Sequence, residues 1–159
     1  MLLEKQKNIV WLAKQVKGDT VLEIGFNAGF STLLLLLSNP HLKVVALDLG
    51  EHDYAQKCFH TLQKDFPDRL TVMFGDSRKT LPSLTTTFSC IHIDGGHSEE
   101  VAKSDVQQSR RLLKPNGFLL IDDTNLGDVQ KAIQTVPLLK EVSLPFKTTI
   151  YTHSLYTIN

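Results

Sequence analysis

Four short stretches of this sequence place polar side chains where chemistry could be done. The first is Glu23-Ile24-Gly25-Phe26-Asn27-Ala28-Gly29-Phe30-Ser31, in which two glycines frame a turn between an apolar run and a leucine-rich stretch. Glycine lets a backbone come close to a ligand and adopt positive φ. A helix opening at Ser31 would offer free N–H groups to an anion such as a carboxylate, and Glu23 could hold a cationic amine. Both charges occur together on an amino acid. The same residues also suit an ordinary strand-to-helix turn.

The next two stretches add hydrogen-bond acceptors. Asp48, with Leu49 beside it, ends an apolar run about twenty residues after the turn, where a carboxylate can accept from both hydroxyls of a ribose. Gly75-Asp76-Ser77 ends another run; Asp76 could accept from an adenine amino group and Ser77 could assist. Each alone is also a plausible loop cap or turn. The full G-x-G-x-x-G of a dinucleotide site and the G-x-x-x-x-G-K-[ST] of a P-loop are both absent, so one nucleoside with a charged amino-acid tail fits better than NAD or ATP.

The fourth stretch is Ile93-Asp94-Gly95-Gly96-His97-Ser98, joined by Asp122-Asp123 further on. If Asp94 and Asp122-Asp123 end neighbouring parallel strands, three carboxylates meet and repel. A divalent cation would remove that cost, and oxygen-only ligands favour magnesium, calcium or manganese over zinc. The alternative is that Asp94 contacts a ligand or backbone while Asp122, Asp123 and Thr124 cap a turn or helix. Histidine titrates near neutrality, so His97 could take a proton from a hydroxyl while a metal stabilises the forming alkoxide. It could equally be a helix cap. His92, between Ile91 and Ile93, is expected to be a packed or satisfied histidine.

Apolar runs of strand length alternate with helix-like stretches, the pattern of βα units around a mainly parallel sheet. A leading helix is expected over Leu3 to Val16, within residues 1–17, with Gly18 as its stop. Trp11 on this helix is expected in core packing, with a lid over the site as the alternative. Strands follow at Thr20–Ile24, Lys43–Asp48, Arg69–Phe74, Ser89–Asp94 and Phe118–Asp122, the last after a turn at Lys114-Pro115-Asn116-Gly117. Helices are expected at Ser31–Ser38, Tyr54–Phe66, Glu99–Leu113 and near Asp128–Thr135, and Leu138–Leu144 with Thr148–Thr157 as a closing antiparallel pair. Ligands bind such sheets outside the carboxyl ends of the strands, where all four polar stretches fall.

Composition limits the partners. The 159 residues are expected to form one domain, 1–159, around one core. Acidic and basic residues balance at 17 each, so no bulk positive field draws the chain onto nucleic acid or anionic membrane. A small acceptor molecule suits it better. Arg110, Arg111 and Lys114 read as a solvated helix end. The Leu33–Leu37 run is too short to span a bilayer, and the opening residues lack a signal peptide's order, so a cytoplasmic protein is expected. Cys58 and Cys90 form no C-x-x-C pair and are expected to be structural.

Val21-Leu22-Glu23-Ile24-Gly25-Phe26-Asn27-Ala28-Gly29, Asp48, Gly75-Asp76-Ser77 and Ile93-Asp94-Gly95-Gly96-His97-Ser98 together resemble the class I S-adenosylmethionine-dependent methyltransferases. The likeness spans about Val21 to Thr124. It is greatest to the branch carrying an I-D-G-x-H-S signature, which includes small-molecule and sugar O-methyltransferases. The resemblance implies a Rossmann-like seven-stranded sheet with an antiparallel last strand and helices on both faces. It also implies that Glu23, Gly25, Asn27 and Gly29 serve the methionine end of S-adenosylmethionine, Asp48 and Leu49 its ribose, and Asp76 and Ser77 its adenine. Asn27 stands where a glycine is common. Asp94 would serve cofactor and catalysis, His97 would be the base, and Asp94, Asp122 and Asp123 would hold magnesium. Two alternatives stay open: a non-catalytic cofactor-binding sensor or partner subunit, and a hydroxylase-like relative. A homo-oligomer is compatible with either.

Overall fold

The computed structural model describes residues 2–137 and 139–158. Met1, Leu138 and Asn159 lie outside them, so the expected strand start at Leu138 and both ends of the 1–159 span are not described. Helix α1 (Leu3–Gln15) leads into β1 (Thr20–Ile24), α2 (Phe30–Ser38), β2 (Lys43–Asp48), α3 (Asp53–Asp65) and β3 (Leu70–Phe74). A one-turn helix α4 (Ser77–Thr80) and a 3₁₀ turn (Leu81–Ser83) then precede β4 (Phe88–Ile93), α5 (Glu99–Leu112), β5 (Leu113–Ile121), α6 (Gly127–Gln134), β6 (Leu139–Val142) and β7 (Ser154–Ile158). The strands form one sheet in the order β3-β2-β1-β4-β5-β7-β6. β1 to β5 run parallel, and β7 is antiparallel to both its neighbours.

Strand alternation sorts the core into two layers. Leu22, Ile24, Ile91, Ile93, Leu119 and Ile121 face α5 and α6 through Ala102, Val106, Val129 and Ala132. Val21, Val44, Cys90, Leu120 and Leu155 face α1 and α2 through Ile9, Leu12, Leu35 and Leu36, with Trp11 half-buried against them. Trp11 is thus a packing residue. The side-chain period of two puts Glu23 and His92, paired across β1 and β4, on the α1 side. Polar residues therefore enter the layer beneath α1.

Three expectations need correction. The Lys114–Gly117 turn lies inside β5: Leu113 pairs with Phe88 and Phe118 with Cys90, so the strand loops out a bulge, with Asn116 at φ 59°, and resumes its ladder. The last strand starts at Ser154, not Thr148, because the preceding segment is held by other partners: Asn8 bonds both the Phe146 backbone and His153, and Thr124 N–H donates to the Thr152 carbonyl. Arg111 is more than a solvated charge, since its guanidinium donates to the Leu81 and Leu84 carbonyls and ties α5 to the 3₁₀ turn. No described helix is long and apolar enough to cross a membrane.

Candidate active site

Two cavities open along the carboxyl edge of the parallel strands. The first, about 370 Å³, runs from Gly25 past Asp48 and Leu49 to Asp76 and Ser77, then under Gly95. The second, about 600 Å³, lies between α1 and the ends of β4 and β5, walled by Lys5, Phe30, Asp122, Asp123 and Tyr151. Gly25, Asn27 and Asp94 line both, so the cavities meet at one seam. Volumes of this order suit small molecules.

Gly25 is required at the seam. At φ 99° it sits in a region side chains avoid, and a Cβ there would lie 2.0 Å from the Asp94 carbonyl oxygen. Asn27 takes the left-handed conformation (φ 50°), which asparagine tolerates, and the Tyr54 hydroxyl donates to its Oδ1 at 2.6 Å. In the first cavity, Asp48 Oδ2 accepts from the Asn27 N–H at 2.7 Å and Oδ1 from the Gly50 N–H at 2.8 Å. Each oxygen keeps a second lone pair for a ligand hydroxyl. Asp76 caps α4 by accepting from the Arg78 N–H, and its carboxylate also pairs with the Arg78 guanidinium, which holds it below the usual carboxylate range. Beneath this wall lies Asp105 of α5, completely buried, its carboxyl pushed up to about 6 by burial.

Glu23 and Gly29 stand behind the wall of both cavities and not on it. The Glu23 carboxylate is fully buried and accepts from the Ser31 and Thr32 hydroxyls, while His92 Nδ1 lies 3.1 Å from Oε1. It therefore fixes the start of α2 from behind. Burial works against charging His92, but the hydrogen bond and charge of Glu23 outweigh it and raise the imidazole above its ordinary pKa. Gly29 forms the left-handed cap of α2, and a Cβ there would meet the Phe26 ring and Leu62 at 2.7 Å. Its role is packing.

The second cavity gathers the carboxylates. Burial pushes the Asp94 carboxyl up to about 6; His92 and Lys5 oppose this, and Asp122 and Asp123 add to it. His97, its side chain 46% exposed, lines neither cavity but lies beside Asp94 and Asp122 at the edge of the second, with Nε2 3.0 Å from Asp123 Oδ2. Asp123 itself is left-handed (φ 52°), an uncommon conformation that turns its carboxylate toward this histidine. Lys5, reaching in from α1 with 7% of its side chain exposed, bonds Asp122 Oδ1 and lies 3.4 Å from Asp123 Oδ1.

That lysine bears directly on the metal expectation. His92, Asp94 and Asp122, and separately Asp94, His97 and Asp123, bring ligand atoms within 4.8 Å of one another. In the first set His92 is engaged by Glu23 and Asp122 by Lys5; in the second, Asp123 already faces His97 and Lys5. Of the three residues expected to hold an ion, Asp122 and Asp123 are met by the Lys5 ammonium, while Asp94, His97 and the other oxygen of Asp123 still converge beside it. Sequence reasoning missed Lys5, Arg78, Asp105 and Tyr151. For Lys5 a signal existed: Lys5 and Asn8 precede Ile9 and Leu12 by four positions each, on the inward face of α1.

A seven-stranded sheet in this order, its last strand antiparallel and its cavities at the carboxyl edge, is a Rossmann-like α/β fold. The chain belongs to the family described as a methyltransferase domain, whose model matches residues 22–124. It is similar to the catechol O-methyltransferase of Mycobacterium tuberculosis, at 30% identity over 78% of this chain and 56% of that protein. It is also similar to the O-methyltransferase hkm8 of Aspergillus hancockii, at 28% identity over 65% of this chain and 42% of that one. The chain thus spans about half the length of these curated relatives. The O-methyltransferase TomG of Streptomyces achromogenes, solved with S-adenosylmethionine, superposes with TM-score 0.80 at 17% identity, over 99% of this chain and 81% of that one. An O-methyltransferase from Bacillus cereus in complex with S-adenosylhomocysteine gives 0.76 at 18%, over 99% and 82%. At these identities the likeness is one of fold.

Proposed function

We propose that this protein transfers a methyl group from S-adenosylmethionine to a hydroxyl oxygen of a small molecule, with His97 as the general base. The observation that carries this reading is the shared seam: a nucleoside-sized cavity and an acceptor-sized cavity meet at Gly25, Asn27 and Asp94. S-adenosylmethionine, when bound, supplies a methyl group on a sulfonium. Asp48 accepts from the ribose hydroxyls, Asp76 and Ser77 hold the adenine edge, Leu49 covers the ribose, and the backbone around Gly25 and Asn27 receives the amino-acid end. Glu23 and Gly29 support that turn from behind. Asp94 stands at the seam, where its charge faces the sulfonium. An acceptor enters between Phe30 and Tyr151, two exposed rings on the second cavity. Its hydroxyl proton passes to His97, and Asp123 stabilises the imidazolium that forms. No step is routed through a metal.

Residues 1–159 act as one domain in this reading, with a small-molecule acceptor as substrate and a homo-oligomer left open. Calorimetric titration of the protein with S-adenosylhomocysteine is expected to give a saturable isotherm; wild-type protein without uptake would defeat the cofactor reading. Incubation with methyl-labelled cofactor and a panel of phenols, catechols and sugars is expected to label at least one hydroxyl. Cofactor uptake with no labelled acceptor favours the sensor alternative.

A further inference from the structure

We infer that Lys5 is the resident counter-cation of the acceptor site, doing with a side chain what the carboxylate cluster would otherwise need a divalent ion to do. Asp94, Asp122 and Asp123 end neighbouring strands, and like charges so close cannot all remain ionised without a compensating cation. Lys5 supplies it. Its side chain is more than nine-tenths buried, and its ammonium bonds Asp122 and approaches Asp123, whose other oxygen faces His97. Asp122 Oδ1 also accepts the Asp123 backbone N–H at 2.8 Å, so lysine, both carboxylates and the histidine form one connected set.

The lysine is not a chance visitor from a loose helix end. Three residues on, on the same face of α1, Asn8 is fully buried and donates through Nδ2 to the Phe146 carbonyl at 2.7 Å, while its Oδ1 accepts the Phe146 N–H at 3.1 Å. Its Nδ2 also lies 2.8 Å from His153 Nε2. Ile9, Leu12 and Ala13 lock the next turns into the core. α1 is therefore registered by polar contacts at Asn8 and apolar ones at Ile9, Leu12 and Ala13, and Lys5 has a fixed place. A divalent ion bridging Asp122 and Asp123 would have to sit against this ammonium, and like charges so close repel. Lys5 is a positioning residue: it holds Asp122 and Asp123, and through Asp123 the base.

This inference rests on the proposed reading only for what the cavity holds, and its test is separable. Wild-type protein is titrated with Mn²⁺ and free ion is followed by paramagnetic resonance, alongside the S-adenosylhomocysteine isotherm with and without chelator. Wild type is expected to take up no stoichiometric Mn²⁺, and its cofactor affinity to be indifferent to chelator. Lys5→Met, which keeps the chain length and removes the charge, is expected to gain Mn²⁺ affinity by at least about 100-fold; Lys5→Gln is the second variant should that one fold poorly. A merely structural lysine would change stability in both variants and metal uptake in neither. One tightly bound Mn²⁺ in wild type, or folded variants that bind S-adenosylhomocysteine yet gain no metal, overturns the inference. A missing cofactor isotherm in wild type would instead sink the proposed function and leave the Mn²⁺ result standing.

Discussion

Asp48 and Asp122 both end a strand and line a cavity, but they are fixed in different ways. Asp48 is held by backbone N–H groups of Asn27 and Gly50, neighbours in the turns of adjacent βα units. Asp122 is held by the side chain of Lys5, 117 positions away in the chain. The same contrast divides the groove. Its first cavity is built from strand-end turns whose backbone does the positioning. Its second is assembled from segments far apart in the chain, with Lys5 of α1 and Tyr151 set against the ends of β4 and β5. Local turns can be specified by residue type and spacing; a cavity between distant segments depends on how α1 docks.

This contrast can be broken at its shared seam or sharpened on either side. The largest effect is expected from Gly25→Ala, which belongs to both halves. A Cβ 2.0 Å from the Asp94 carbonyl, together with positive φ, should cost about 3–5 kcal/mol of stability and abolish S-adenosylhomocysteine binding. A thermal melt and calorimetry near wild type would show that the seam is not the tight contact it is taken to be. Next comes His97→Ala, at the edge of the second cavity: if His97 is the base, turnover should fall about 10²- to 10⁴-fold with cofactor affinity almost unchanged. Normal turnover removes His97 as the base. Asp48→Ala should do the reverse, weakening S-adenosylhomocysteine about 10- to 100-fold, the worth of hydrogen bonds to a charged group. If affinity is retained, the ribose contact is wrong.

The last effect is read in stability and not in turnover or affinity, and concerns Asp105, beneath the first cavity. Its folded pKa of about 6 lies above that of an unfolded aspartate, so the folded state binds the proton more tightly between about pH 4 and 6. The group's contribution to stability is therefore favourable at low pH and is lost as pH rises through 6. Asp105→Asn, mimicking the neutral form, should raise stability at pH 7.5 by about 2–3 kcal/mol, with the gain shrinking as pH falls toward 4. Melts at both pH values check this; a pH-independent difference would mean that burial of the charge is not its origin. His153 has the opposite sign in an overlapping window, because burial pushes it down to about 4, so the comparison has to be made between variant and wild type at each pH.

Much of this molecule was legible in order of residues. β1 and β2 fall at Thr20–Ile24 and Lys43–Asp48 as apolar runs bounded by turns predict, and the other central elements differ by a residue or so. The bulge in β5 was not legible, since Pro115-Asn116-Gly117 signals a break equally well at a strand's start or within it, and only pairing with β4 decides. Asp48, Asp76, Ser77 and Asp94 were placed on the groove because a parallel sheet gathers strand ends on one edge. Glu23 was placed with them by the same rule, yet strand alternation turns it under α2, where two hydroxyls and His92 use its oxygens.

The sequence by itself determined the alternation of strands and helices, the glycine turn at the seam and the carboxylates at the strand ends, because each depends on side-chain period or backbone freedom within a few residues. Tertiary structure alone decided which cation meets those carboxylates. Lys5 is silent in a sequence reading, because a lysine on a helix is ordinarily solvated. It becomes part of the site only when the apolar face of α1 docks and carries the ammonium in beside Asp122.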